Sequence, residues 1–208
     1  MIRSTLLAAT LLISMAPHEL PDMAIGTVMP KATVKMKDVT GPDISLKEIA
    51  GPNGVLVIFS CNTCPFVIGS EGSAGWEGRY PALAASCAKN KIGFALVNSN
   101  EGKRSAGDGF GDMETHYKQK GYAGHYVLDQ GNTLADAFGA RTTPHVFLFD
   151  KDLKLVYKGA IDDNVDDPAA VKHHYLDDAI DALTNGKAID PALTRNIGCS
   201  IKRTQLVE

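Results

Sequence analysis

The sequence predicts an α/β sandwich, a central mixed β-sheet flanked by helices. Three observations carry this. Residues 55–59 and 92–97 are short apolar runs, the pattern of strands buried on both faces. Between them Trp76, Tyr80, Leu83, Ala84 and Cys87 recur at helical spacing and form one apolar stripe. Downstream, residues 145–149 and 153–157 flank the turn Asp150-Lys151-Asp152 as the arms of a β-hairpin. Strands joined by helices run parallel and the hairpin adds antiparallel pairing, which makes the sheet mixed.

The elements follow in chain order. Residues 32–39 alternate small or apolar with polar side chains, a half-buried strand, and Gly41-Pro42-Asp43 reads as a turn. Residues 44–46 form a second short strand of an N-terminal hairpin, and Asp43 or Ser45 caps the helical turn 46–49. After the strand at 55–59, a helix runs through Ile68 and breaks at the Gly-rich residues 69–75. It resumes over 76–89. Residues 98–111 are a polar loop, 113–120 a helix, 125–128 a strand, and 133–138 a short helix stopped by Gly139. A last amphipathic helix spans 167–185, with Val171, Tyr175, Ala179, Ile180 and Leu183 on one face. Residues 32–186 form one domain, preceded by an extended lead-in at 17–31 and followed by a tail at 187–208 that carries Cys199.

Composition limits the function classes. A net charge of −3 gives no electrostatic case for nucleic acid or an anionic membrane. Residues 1–16 have the form of a secretory signal: Arg3, the apolar core 6–13, then Ser14-Met15-Ala16 with cleavage after Ala16. That core falls short of the roughly 20 residues a membrane span needs, so no stable insertion follows cleavage. The expected location is periplasmic or secreted, where disulfides persist.

The chemistry centres on Cys61-Asn62-Thr63-Cys64, directly after the apolar strand. Two cysteines at this spacing close a disulfide ring or clamp a metal. A position at a strand end and helix start favours a thiolate, the attacking species in disulfide exchange. Neither Asn62 nor Thr63 supplies a cation that would depress the thiol pKa strongly.

In this order, Cys61-Asn62-Thr63-Cys64-Pro65-Phe66-Val67, Asn98-Ser99-Asn100-Glu101, Thr143-Pro144-His145-Val146-Phe147, Tyr157 to Asp163 and Gly198-Cys199-Ser200-Ile201-Lys202 resemble a known pattern. It is that of the thioredoxin-like superfamily, in its peroxiredoxin-like branch related to alkyl hydroperoxide reductase and thiol-specific antioxidant. The resemblance covers the chain from about residue 26 onward and implies a thioredoxin-like sandwich. It implies that Pro144 is cis and faces the cysteines, leaving the Thr143 backbone edge free for an extended substrate segment. It implies that Cys61, as the more exposed thiol, attacks, and that Cys64, one helical turn in, resolves. The cofactor is then the redox-active Cys61–Cys64 disulfide alone. The partners are thiol or disulfide protein substrates and an unidentified redox partner.

Many thioredoxins carry a buried carboxylate before the first cysteine. Residues 55–60 hold none, and Glu101 is the substitute the sequence offers. Two rival activities stay open. A thiol peroxidase of the peroxiredoxin type needs Pro-x-x-x-Thr/Ser-x-x-Cys, which neither register of Cys61 or Cys64 supplies, although Arg141 could mimic the anion-binding arginine. A Cu(I)-handling protein would use Cys61, Cys64 and His145 as soft and imidazole ligands, but such proteins separate their cysteines by three residues. His173 and His174 are adjacent and poor joint ligands. Cys87 reads as a core thiol. Cys199 either pairs with it or folds back as an accessory thiol.

Overall fold

The computed structural model describes residues 20–204. The signal segment 1–16 lies outside the described residues, as does the start of the lead-in. Nine strands and six helices occur among the described residues. In chain order they are β1 (Met36–Asp38), β2 (Gly41–Ile44), α1 (Leu46–Ile49), β3 (Val55–Ser60), α2 (Pro65–Ile68), α3 (Tyr80–Lys89), β4 (Gly93–Asn98) and α4 (Phe110–Lys120). There follow β5 (His125–Leu128), α5 (Thr133–Phe138), β6 (Thr142–Thr143), β7 (His145–Phe149), β8 (Leu155–Gly159), α6 (Tyr175–Thr184) and β9 (Cys199–Ser200).

Seven strands form one sheet in the order β2-β1-β5-β4-β3-β7-β8. β3 pairs parallel with β4, and β4 with β5, while β7 lies antiparallel to both β3 and β8. This is the mixed sheet the apolar runs predict. All six residues of β3 are buried, which is what a central strand covered on both faces requires. One face packs Leu56, Ile58 and Leu96 with Trp76, Tyr80, Leu83 and Leu176. The other packs Val57, Phe59 and Val97 with Leu46, Leu134 and Phe138. Alternate residues of each strand thus feed two separate cores.

Several element bounds differ from the sequence reading. Gly41-Pro42-Asp43 lies within β2, and the turn comes earlier, where Asp38 Oδ1 and Oδ2 accept from the Thr40 N–H and hydroxyl. Ser45 does precede α1, and Glu48 Oε2 reaches back to accept from its N–H and hydroxyl. α6 starts at Tyr175 rather than 167. Pro168 opens a short 3-10 turn instead, and the Lys172 N–H is drawn to the Asp163 carboxylate. Val171, His173 and His174 therefore precede the helix. The lead-in packs on the β7–β8 hairpin through the Gly26 and Met29 N–H groups and buries Met23 and Met29. The tail, which has no periodicity, is also docked. Residues 192–194 bond to Lys158 at the β8 edge, and β9 pairs antiparallel with β6.

Candidate active site

β3 delivers the cysteines. Its last residue, Ser60, shares a hydrogen bond with the Tyr80 hydroxyl at 2.9 Å, tying the strand end to α3. The chain then leaves the sheet for residues 61–63. Cys64 is the N-cap of α2, with Pro65 at its first helical position. The sequence reading placed Cys64 one turn into the helix; it stands at the helix start.

A buried carboxylate holds this loop, and it comes from a segment the sequence reading passed over. Asp108 Oδ1 accepts from the Asn62 N–H at 2.7 Å and Asn98 Nδ2 at 2.9 Å. Its Oδ2 accepts from the Thr63 hydroxyl at 2.7 Å and Asn100 Nδ2 at 3.0 Å. Four donors fill the four lone-pair directions of a carboxylate, so none remains to receive a thiol proton. Arg104 in turn donates to the Asp108 carbonyl and to Asn98 Oδ1, each at 2.8 Å. Asn62 is held further by the Tyr126 hydroxyl, which donates to its Oδ1 at 2.8 Å. Asp108 is a positioning residue. Its only sequence signal was an acidic residue between two glycines in a polar loop.

Both thiols converge on Thr143. Cys61 Sγ lies 3.2 Å from Thr143 Oγ1, and the Cys64 thiol donates to the Thr143 carbonyl at 3.1 Å. The Thr143–Pro144 peptide is cis, as the resemblance implies. The four cysteines are free thiols.

Exposure does not separate the two cysteines as expected: Cys61 is 0% exposed and Cys64 3%. Their surroundings do. Cys64 is pulled down to about 5 by the Cys61 thiol donating to it, and further by the thiol and N–H of Cys199 and by Thr143. The Thr143 carbonyl, which accepts from the Cys64 thiol, works against this by favouring the protonated form. Cys61 is held well above the ordinary thiol range by its hydrogen bond to Cys64, by burial and by the Asp108 charge. Of the pair, Cys64 is the more acidic thiol.

The Thr143 edge is not free. Thr143 pairs with Cys199 and Thr142 with Ser200 in the β6–β9 ladder. Gly198 lies so close that a Cβ there would stand 2.4 Å from the Thr143 carbonyl oxygen and 3.2 Å from the Pro144 nitrogen. Cys199 packs against the cluster that contains Cys61 and Cys64. The alternative pairing partner, Cys87, is buried on α3, and burial pushes its thiol up to about 12.

The remaining candidates lie elsewhere. Glu101 accepts from Arg104 and from the Gly131 N–H, not from a thiol. Arg141 is exposed and its guanidinium reaches the Leu20 carbonyl. His145 is buried on β7, its Nδ1 accepting from the Arg141 N–H at 3.3 Å, and burial with nearby Lys158 and Arg141 pushes it down to about 3. Among the described residues no three His, Cys, Asp or Glu side chains form a metal-holding group, so His145 does not join Cys61 and Cys64. Trp76 packs in the core as its register predicts, and its Nε1–H donates to Asp162.

A thioredoxin-like sheet that presents two thiols to a cis-proline loop defines a thiol redox protein. The family model described as Redoxin matches residues 24–173, and the chain belongs to that family. Its relationship to thiol and disulfide partners follows from that membership. Two solved structures of uncharacterised proteins are similar over nearly their whole length. One, from Geobacillus kaustophilus, is 26% identical with a TM-score of 0.78, covering 91% of this chain and 97% of that one. The other, a hypothetical protein from Sinorhizobium meliloti, is 28% identical with a TM-score of 0.77, covering 89% and 97%. Peroxidoxin BcpB from Mycobacterium tuberculosis shares the fold at 16% identity and a TM-score of 0.56, covering 78% and 97%. No curated protein matches.

Proposed function

We propose that this chain is an exported thiol–disulfide oxidoreductase that exchanges disulfides through Cys61 and Cys64. One observation carries the reading: two thiols meet at a single residue, Thr143, at 3.2 and 3.1 Å, next to cis-Pro144. A pair this close to one anchor can pass between dithiol and disulfide with little movement. The sequence reading gave the attack to Cys61. Cys64 is the thiol whose pKa is lowered and Cys61 the one whose pKa is raised, so we assign the attack to Cys64 and the resolution to Cys61.

In the forward direction the Cys64 thiolate attacks a substrate disulfide and one substrate sulfur leaves. Cys61 then attacks the mixed disulfide, the Cys61–Cys64 bond forms, and the second substrate thiol takes the Cys61 proton. Running backwards, the same steps oxidise a dithiol. Thr143 and Pro144 orient the sulfurs. Export rests on residues 1–16, and the mature chain then begins at Pro17. Among the described residues no helix is long and apolar enough to cross a membrane.

The experiment is turnover of a disulfide-bonded peptide with a thiol donor. Cys64→Ala should abolish it, and Cys61→Ala should accumulate a mixed disulfide on Cys64. Turnover that requires peroxide and ignores the peptide disulfide would replace this reading with a thiol peroxidase.

A further inference from the structure

The tail occupies the position that the resemblance reserved for a substrate. β9 is the strand added to the Thr143 edge, and it carries a cysteine in register with Thr143. The docking is built rather than incidental. Gly198 is the residue that lets the tail backbone close on the Thr143–Pro144 peptide, since a Cβ would meet the Thr143 oxygen at 2.4 Å. On either side of the Gly198–Ser200 step the tail is strapped down. Thr194 Oγ1 accepts from the Ala160 N–H at 3.0 Å, the Ile201 N–H donates to the Arg141 carbonyl at 3.0 Å, and the Lys202 N–H donates to Asn100 Oδ1 at 3.0 Å. Arg203 Nε adds an ion pair with Asp136 at 2.7 Å. Between these straps Cys199 is half-buried and lies in register with Thr143, whose carbonyl accepts from Cys64 Sγ at 3.1 Å. Thr143 therefore gathers three cysteines, Cys61 and Cys64 through their thiols and Cys199 as its ladder partner.

We propose that Cys199 is an in-chain substrate: the disulfide formed by Cys61 and Cys64 passes to Cys64 and Cys199, latching the tail across the Thr143 edge. The step balances without an added oxidant. Cys199 Sγ attacks Cys64 Sγ, the Cys61–Cys64 bond breaks as the Cys64–Cys199 bond forms, and the proton shed by Cys199 ends on Cys61. The buried Cys61 site, with the Asp108 charge nearby, holds a proton firmly, which favours the transfer. The latched form keeps an extended substrate segment off Thr143; attack by Cys61 on Cys64 reverses it. This inference rests on the exchange reading for the origin of the first disulfide.

Mass mapping separates the possibilities because trypsin places the thiols on different peptides. Residues 48–79 carry Cys61 and Cys64, 80–89 carry Cys87, and 196–202 carry Cys199. Cys61→Ser protein is oxidised with oxidised glutathione, quenched in acid, alkylated and digested. The expected product is 48–79 joined to 196–202, with Cys87 alkylated. Recovery of Cys64 and Cys199 only as glutathione adducts or alkylated thiols overturns the proposal. Wild-type protein treated alike should give the same cross-link in part, and Cys64→Ser should lose it. A cross-link that survives in Cys64→Ser overturns the assignment to Cys64. Turnover of the peptide disulfide by wild type is measured in parallel: turnover without the cross-link sinks this inference alone, and a cross-link without turnover sinks the exchange reading alone.

Discussion

Replacing Asp108 by asparagine tests how the Cys-x-x-Cys loop is held. The carboxylate takes four donors, two on each oxygen. An asparagine keeps one acceptor oxygen. Its best orientation leaves that oxygen facing the Asn62 N–H and Asn98 Nδ2 and turns its NH2 toward Thr63 and Asn100. The Thr63 hydroxyl can rotate to accept, so one buried donor, Asn100 Nδ2, loses its partner. An orphaned buried donor costs about 1–3 kcal/mol, and exchanging a charged for a neutral acceptor in two surviving bonds costs about 1 kcal/mol each. The sum, about 3–5 kcal/mol, is a large part of the roughly 5–15 kcal/mol that holds a domain together. Urea unfolding should show a much lower midpoint with an unchanged slope, since the surface exposed on unfolding is the same. Loss of the charge should also let Cys61 ionise at lower pH, read in a Cys64→Ala background. An Asp108→Asn protein within about 0.5 kcal/mol of wild type, the range of an ordinary surface change, would refute this account of the loop.

Three further predictions follow from the same geometry. Ultraviolet thiolate absorbance should titrate with a midpoint near pH 5 rather than 9.0, and Cys64→Ala should remove that transition. Because folding depresses this thiol, its contribution to stability is full above pH 9.0 and is lost as pH falls toward 5. His145 is neutral in the fold down to about 3, against 6.5 for the free side chain, so the unfolded chain binds the extra proton between these values. Stability should therefore fall with acid through that window by up to about 1.4 kcal/mol per pH unit, and His145→Gln should remove that component from the pH–stability curve. Gly198→Ala places a Cβ against the Thr143 oxygen and should undock the tail. Trypsin should then cut at Arg195 and Lys202 faster than in wild type, with the rest of the domain resistant.

The parts legible in the sequence are those that periodicity or local chemistry writes into adjacent residues. The runs that became β3 and β4 had to be buried on both faces, and the stripe from Trp76 to Cys87 had to face them. Cys61, Cys64 and the Thr143–Pro144 step stand out because each is a short motif. Asp108 was not legible in its role, and for Cys199 the sequence left pairing with Cys87 and folding back as an accessory thiol both open. Asp108 lies 46 residues from Asn62 in the chain and reaches it only through the folded polar loop. Cys199 meets Thr143 by a two-residue ladder, too short to leave an alternation pattern. The order of attack that we propose reverses the one the resemblance implies, which took Cys61 as the more exposed thiol. Both thiols are buried, so exposure does not rank them.

On the proposed mechanism Cys61 and Cys64 act as one redox pair. Equilibrating the protein across a series of glutathione redox buffers, with acid quenching and mass mapping of residues 48–79, tests it directly. A single two-electron transition is expected, in which the peptide loses both free thiols together to an internal disulfide, in Cys199→Ser protein as well as in wild type. Thiols that stay reduced across the series, or that are blocked separately by glutathione, would contradict it.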